Sequence, residues 1–276
     1  MLRRYQRVSI ETREIPVRGL PLSLDGLRIA QLSDFHYDGD GLTEELLLDA
    51  ITTSNELEPD LVMLTGDYVT DSPDPIYRLV PHLEKLKSRY GTHAVLGNHD
   101  NIYPHSRTTI THAMSLANIN VLWDQVSYLW GGDLALVGLS DYWWKHFNPA
   151  PVMEGIPNEI PRVVLSHNPD SAKTLSRYRV DLQLSGHTHG GQVVLPGLGP
   201  VVKGIRKVRK CAAKPFKHQW SKWTKNCDKI VQYWEWAEGL HSVGENRLYV
   251  NRGLGTHWPG RLFCPPEVSL LTLQAI

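Results

Sequence analysis

Residues 27–36 read LRIAQLSDFH, an apolar run of strand length that breaks off into Ser-Asp-Phe-His. A short run that ends in a polar cluster has the form of a buried strand feeding a functional loop. The form recurs down the chain. Residues 61–65 run into Gly66-Asp67, 93–96 into Gly97-Asn98-His99-Asp100, 163–166 into His167, and 182–185 into Gly186-His187-Thr188-His189. Between the early strands the spacing turns helical, over residues 43–57 with Thr43 as N-cap, 76–89 and 107–117. Further strands are expected at 121–123, 134–139, 193–195, 248–251 and 268–273, with fewer helices between them. The chain thus reads as α/β becoming β-rich, and two sheets packed face to face between helices satisfy that order.

Bulk composition excludes several classes. The chain has 276 residues, 41% hydrophobic and 21% charged, which suits one globular domain over 1–276 with a sizeable core. Lys plus Arg equals Asp plus Glu at 29 each, so no overall charge imbalance points to nucleic acid as a partner. Cys211, Cys227 and Cys264 are odd in number and form no CxxC pair. A disulfide framework and a thiolate zinc site are therefore not expected, and a reducing, cytoplasmic compartment fits. No stretch approaches eighteen apolar residues and no h-region follows the first arginines, so neither a membrane span nor export is expected. HExxH, GxSxG, GxxxxGK[ST] and HxHxDH are all missing from the sequence, which removes zinc protease, serine hydrolase, P-loop and metallo-β-lactamase readings.

One segment departs from the alternation. From Lys203 to Lys229 the insertion at 199–238 carries ten Lys/Arg against one acid, Asp228, with Trp220, Trp223, Trp234 and Trp236 interleaved or following. It reads either as a solvated basic loop or as a cap that rests on an anionic membrane, where each cation contributes about 1 kcal/mol and tryptophans favour the headgroup boundary. Such charges would also suit nucleic-acid phosphates.

The chemistry lies in the loops after the strands: Asp34 and His36, then Asp67, Asn98, His167, His187 and His189. Each fragment alone is a common turn. Together, carboxylate, imidazole and amide oxygen form a mixed hard and borderline donor set suited to Mn²⁺, Fe or Zn²⁺, and the lack of thiolates argues against a closed structural zinc site. Ligands two apart point to one side of an extended segment. Gly66, Gly97, Gly186, Gly190 and Gly191 let the backbone bend close to the ions.

In their order, SDFH, GDYVTD, GNHD, a later His and GHTHGGQ resemble the five motif blocks of the calcineurin-like metallophosphoesterases, from about residue 27 to the C-terminus without the basic insertion. GHTHGGQ, with NRGLG and RLFCPPEVSLLTL, is similar to a bacterial subgroup of small phosphodiesterases that includes proteins acting on lipid A precursors at the inner membrane. The resemblance implies a four-layer αββα sandwich, two mixed β-sheets flanked by helices, with two divalent metal ions (Mn²⁺, Zn²⁺ or Fe²⁺) at the C-terminal strand ends. Carried over, Asp34, His36 and His189 would hold the first ion, Asn98, His167 and His187 the second, and Asp67 would bridge them. Two cations roughly 3.5 to 4 Å apart can share a hydroxide, which is then the expected nucleophile. His99 would stand beside the second metal to stabilise charge or protonate the leaving alkoxide, oriented by Asp100. The implied activity is a phosphodiesterase or pyrophosphatase acting on a small-molecule or lipid-linked phosphoester, with a phosphomonoesterase and a metal-stiffened scaffold as alternatives. In GLGTHWPGR, His257 has no assigned role, and Arg252 and Arg261 read equally as phosphate contacts or as structural residues.

Overall fold

The computed structural model describes residues 7–38, 41–204 and 230–276. The middle of the basic segment, with Trp220 and Trp223, lies outside the described residues. In chain order the first strands are β1 (Ser9–Val17), β2 (Arg28–Leu32), β3 (Leu61–Leu64), β4 (Thr92–Ala94) and β5 (Ile119–Val121). With the last strand, β14 (Glu267–Ala275), they form a six-stranded sheet in the order β1-β14-β2-β3-β4-β5, mixed because only the β14–β2 pair is antiparallel. The second sheet contains β6 (Gln125–Leu129), β7 (Leu134–Gly138), β8 (Arg162–Leu165), β9 (Leu182–Ser185), β12 (Gly239–Val243) and β13 (Asn246–Val250). Its order is β12-β13-β9-β8-β7-β6, parallel inside and antiparallel at both edges.

The period of two in β3 explains the layers. Leu61 and Met63 face the second sheet and pack with Leu136, Val163, Leu165, Leu182 and Leu184. Val62 and Leu64 point the other way, into a core shared with helices α1 (Glu44–Glu56), α2 (Ile76–Leu83) and α3 (Ser106–Leu116). On the outer face of the second sheet, Ala135, Val137 and Val164 meet the short helices α4 (Ala150–Met153) and α5 (Ser171–Leu175) through Met153 and Leu175. Central strands covered on both faces read as continuous apolar runs. The expected four-layer αββα sandwich of two mixed sheets is the observed fold.

Helix α1 forms where its local signals put it. The Thr43 hydroxyl accepts from the Leu46 amide at 3.3 Å, and Leu46, Leu47, Ala50 and Ile51 turn one stripe to the core. Helix α2 ends at Leu83 rather than extending to residue 89, and it carries Pro81. Strand β1 was not expected at all. Its sequence, SIETREIPV, buries only Ile15 and Val17, so partnership with β14 rather than an apolar run makes it a strand. The expected strand at 193–195 shrinks to β10 (Val194–Leu195), paired with β11 (Gly199–Pro200) in a hairpin outside both sheets. Its neighbour Val193 bridges to Leu262, which ties the hairpin to the loop after β13.

Candidate metal centre

The loops that follow β2, β3, β4, β8 and β9 emerge from the C-terminal ends of parallel strands, the end at which open α/β sheets bind ligands. Their backbone is unusual. Asp34, His36, Asp67, His187 and His189 all have positive φ, between 44° and 71°, a region that side-chain-bearing residues avoid. Strain of this kind persists where the surroundings over-determine it and collects at functional sites. Gly97 and Gly186 serve instead by lacking a side chain. A Cβ on Gly97 would lie 2.1 Å from Asp67 Oδ1, and one on Gly186 would lie 2.2 Å from Asp34 Oδ2.

One cluster joins Asp67, His167 and His187, all buried, each offering a ligand atom within 4.8 Å of the others. His167 Nδ1 donates to the Thr65 carbonyl at 2.7 Å, and His187 Nε2 donates to the Ile230 carbonyl at 2.8 Å. Carbonyls only accept, so these bonds set the tautomers and leave His167 Nε2 and His187 Nδ1 facing each other at 3.2 Å. Asp67 Oδ2 stands 3.0 Å from the same His167 Nε2. Three atoms able to ligate a cation thus converge on one point.

The neighbouring cluster repeats the logic. His189 Nδ1 donates to the Gly255 carbonyl at 3.2 Å, which turns Nε2 toward Asp34 Oδ1 at 3.5 Å. His36 Nε2 lies 3.7 Å from Asp67 Oδ2 and is buried without a hydrogen-bond partner. Asn98 Oδ1 is likewise buried and unpartnered. Orphaned acceptors cost free energy unless a donor or cation completes them, and a divalent cation is the partner this donor set suits. The residues therefore fit metal binding.

Electrostatics agree with that fit. Burial holds the His36 and His189 imidazoles well below their ordinary value, and burial with the adjacent His167 takes His187 down to about 3, which favours neutral rings able to ligate. Burial pushes Asp34 up to about 6, as expected of carboxylate charge gathered in a dry site. His167 is the exception. Burial would lower it, but the Asp67 carboxylate overrides burial and raises it to about 10.

Six of the seven expected ligands are brought together by these contacts, and Asn98 adjoins them through the next residue, whose amide donates to Asp67 Oδ1 at 2.9 Å; two expectations about their neighbours change. The Asp100 carboxylate does not hold the His99 ring. It accepts from the amides of Asp67, Tyr68, Val69 and Gly97 at 2.8–3.3 Å and so ties the Gly66-Asp67 and Gly97-Asn98 loops together. His99 is oriented by the Thr70 carbonyl, which accepts from Nδ1 at 2.6 Å. It gathers with His36 and Asp67 rather than with His167 and His187. Arg252 is occupied by Glu11, Glu238 and Glu267, and the fully buried Arg261 by the carbonyls of Arg252, Gly253 and Gly255, so both are structural. Trp234 is buried with Val202, Val231 and Ala237 and does not face solvent.

Sequence reasoning missed Thr65, Thr70, Gly255 and Ile230, which act through backbone carbonyls and carry no side-chain signature. It also missed Trp143, whose half-exposed ring stands perpendicular to His187 at 4.8 Å.

Two mixed sheets with a buried carboxylate, imidazole and amide cluster at their C-terminal strand ends define a metal-binding hydrolase. The chain belongs to the calcineurin-like phosphoesterase family, whose profile matches residues 27–191. It is similar to the metallophosphoesterase YkuE of Bacillus subtilis, 31% identical over 96% of this chain and 86% of that protein. The phosphodiesterase YaeI of Escherichia coli is 32% identical over 89% of this chain and 82% of its own length. The UDP-2,3-diacylglucosamine pyrophosphatase LpxG of Chlamydia trachomatis is 28% identical over 90% of this chain and 84% of its own length. The protein is thus a metallophosphoesterase, a phosphoric ester hydrolase. No helix among the described residues is long and apolar enough to cross a membrane.

Proposed function

We propose that the protein is a dimetal phosphodiesterase or pyrophosphatase, with Asp34, His36 and His189 holding one divalent cation, Asn98, His167 and His187 the other, and Asp67 bridging. The observation that carries this reading is the convergence of His167 Nε2, His187 Nδ1 and Asp67 Oδ2 in one buried cluster. When bound, two such cations supply Lewis acidity toward the phosphate oxygens and a hydroxide nucleophile at neutral pH. The chain's own residues do the rest. His187 and His189 keep their lone pairs on the site because Ile230 and Gly255 fix their tautomers. His99, although burial opposes its charge, is raised by Asp67 and the Thr70 carbonyl and is suited to stabilise or protonate a leaving oxygen.

A diester or anhydride is favoured over a monoester by the relatives named phosphodiesterase and UDP-2,3-diacylglucosamine pyrophosphatase. Trp143 supports a bulky or amphipathic group beside the second ion. Residues 199–238 are read as a cap within a single domain, since both described roots pack together through Val202, Val231 and Trp234 and Ile230 touches His187. Exposed Leu198, Trp258 and Phe263, on segments joined by the Val193–Leu262 bridge, favour peripheral contact with an anionic membrane surface.

The test is turnover of a nucleotide-linked lipid precursor, a cyclic nucleotide, an aryl diester and a monoester, each with Mn²⁺, Zn²⁺, Fe²⁺ and Mg²⁺. Diester or anhydride cleavage above monoester cleavage is expected. A monoester preference would overturn the substrate reading, and no turnover with any metal would leave a scaffold. For the membrane contact, salt-sensitive co-sedimentation with anionic but not neutral vesicles is expected, and its loss from both vesicle types would remove that part.

A further inference from the structure

His36, His189 and His257 each place a ring nitrogen within 4.8 Å of the other two. The His257 ring centroid lies 4.3 Å from that of His36 and 4.9 Å from that of His189. Two of these three rings belong to the first metal's set, while the third comes from the loop after β13, far away in sequence. That loop is held firmly against the site. The Gly255 amide donates to the Asp34 carbonyl at 2.6 Å, the Thr256 amide to the Gly41 carbonyl at 2.9 Å, and the His257 amide to Gln192 Oε1 at 2.7 Å. Buried Arg261 draws the Gly253 and Gly255 carbonyls together from behind. The backbone is thereby fixed, but the His257 ring itself has no hydrogen bond or ion pair to any described residue.

We propose that His257 is an additional ligand of the first metal ion, completing a set with Asp34, His36, His189 and the bridging Asp67. This rests on the dimetal reading above and deepens it. A surface cover would not need three imidazole nitrogens turned to one point, and three clustered rings repel one another as soon as they take up protons. A first site with three imidazoles selects Zn²⁺, Co²⁺ or Fe²⁺ over Mg²⁺, because imidazole is a poor partner for a small hard cation.

Titration of the metal-free full chain with Co²⁺, followed by calorimetry and by the visible d–d absorption of the ion, tests the assignment. Wild type should take two ions. His257→Ala should bind one of them with wild-type affinity and the other more weakly by over roughly tenfold, the loss already found for residues that merely support a ligand. Its d–d band should shift and intensity fall, as in His36→Ala, while circular dichroism stays unchanged. His257→Gln, which keeps the bulk and offers an oxygen, should recover part of the affinity and shift preference toward Mn²⁺. Two ions at wild-type affinity with an unchanged band in His257→Ala would overturn the assignment while leaving the dimetal reading intact. Fewer than two ions in wild type would instead bring down the dimetal reading and this inference with it.

Discussion

Asp67 Oδ2 lies 3.0 Å from His167 Nε2, and the other nitrogen of that ring donates to the Thr65 carbonyl at 2.7 Å. Without metal the pair holds a proton, since Asp67 outweighs burial and raises His167 from 6.5 to about 10. The stability this proton contributes to the metal-free fold is complete below 6.5 and is lost as pH rises through about 10. A cation must displace the proton, so affinity should climb with pH by up to about tenfold per unit below that value. Calorimetry near pH 7 in buffers of different ionisation enthalpy should find about one proton released per Mn²⁺ bound at this cluster. Buffer-independent heats would contradict the shared proton.

The Asp67 carboxylate reaches imidazole nitrogens of both clusters, 3.7 Å from His36 Nε2 and 3.0 Å from His167 Nε2. Asp67→Ala should lose more metal than any one-cluster variant and lower kcat/KM by roughly 10³-fold or more. Metal content by elemental analysis, read beside turnover, checks it. Two ions per chain with wild-type activity would exclude a bridging role.

His99 touches the Thr70 carbonyl through Nδ1 and offers Nε2 to the site. His99→Ala should keep both metals and its melting temperature while kcat falls by roughly 10² to 10⁴, the usual loss for a positioned acid or charge stabiliser. Loss of metal together with activity would make it a ligand.

Asp100 answers four backbone amides from two ligand loops. Asp100→Asn keeps the shape but turns a donor toward some of those amides, which in a buried site costs about 2–4 kcal/mol. The expected readout is a fall in melting temperature of roughly 5–15 °C, with weaker metal binding. An unchanged melting temperature would show that the loops hold without it.

Strand and helix signals were readable where they are local. Thr43 caps α1 with its own hydroxyl, and β3 is apolar throughout because both its faces are covered. Edge strands escaped. Most of β1 is exposed or half-exposed, and β6 and β12 bury little, so hydrogen bonds to β14, β7 and β13 hold them rather than any apolar run of their own. Asp100 sits in a recognisable motif, yet its partners are amides, which the motif does not name.

The sequence by itself determined the kinds of candidate ligand, their order and the strand ends that carry them, because side-chain chemistry and local periodicity are written residue by residue. Tertiary structure alone decided which nitrogen of each histidine faces the site. The partner that fixes each tautomer is a backbone carbonyl brought from elsewhere: Thr65 for His167, Ile230 for His187, Gly255 for His189 and Thr70 for His99. A carbonyl is the same group in every residue, so only the fold can say which one arrives. His257 joins His36 and His189 for the same reason, since the path of the chain after β13 sets where its ring goes.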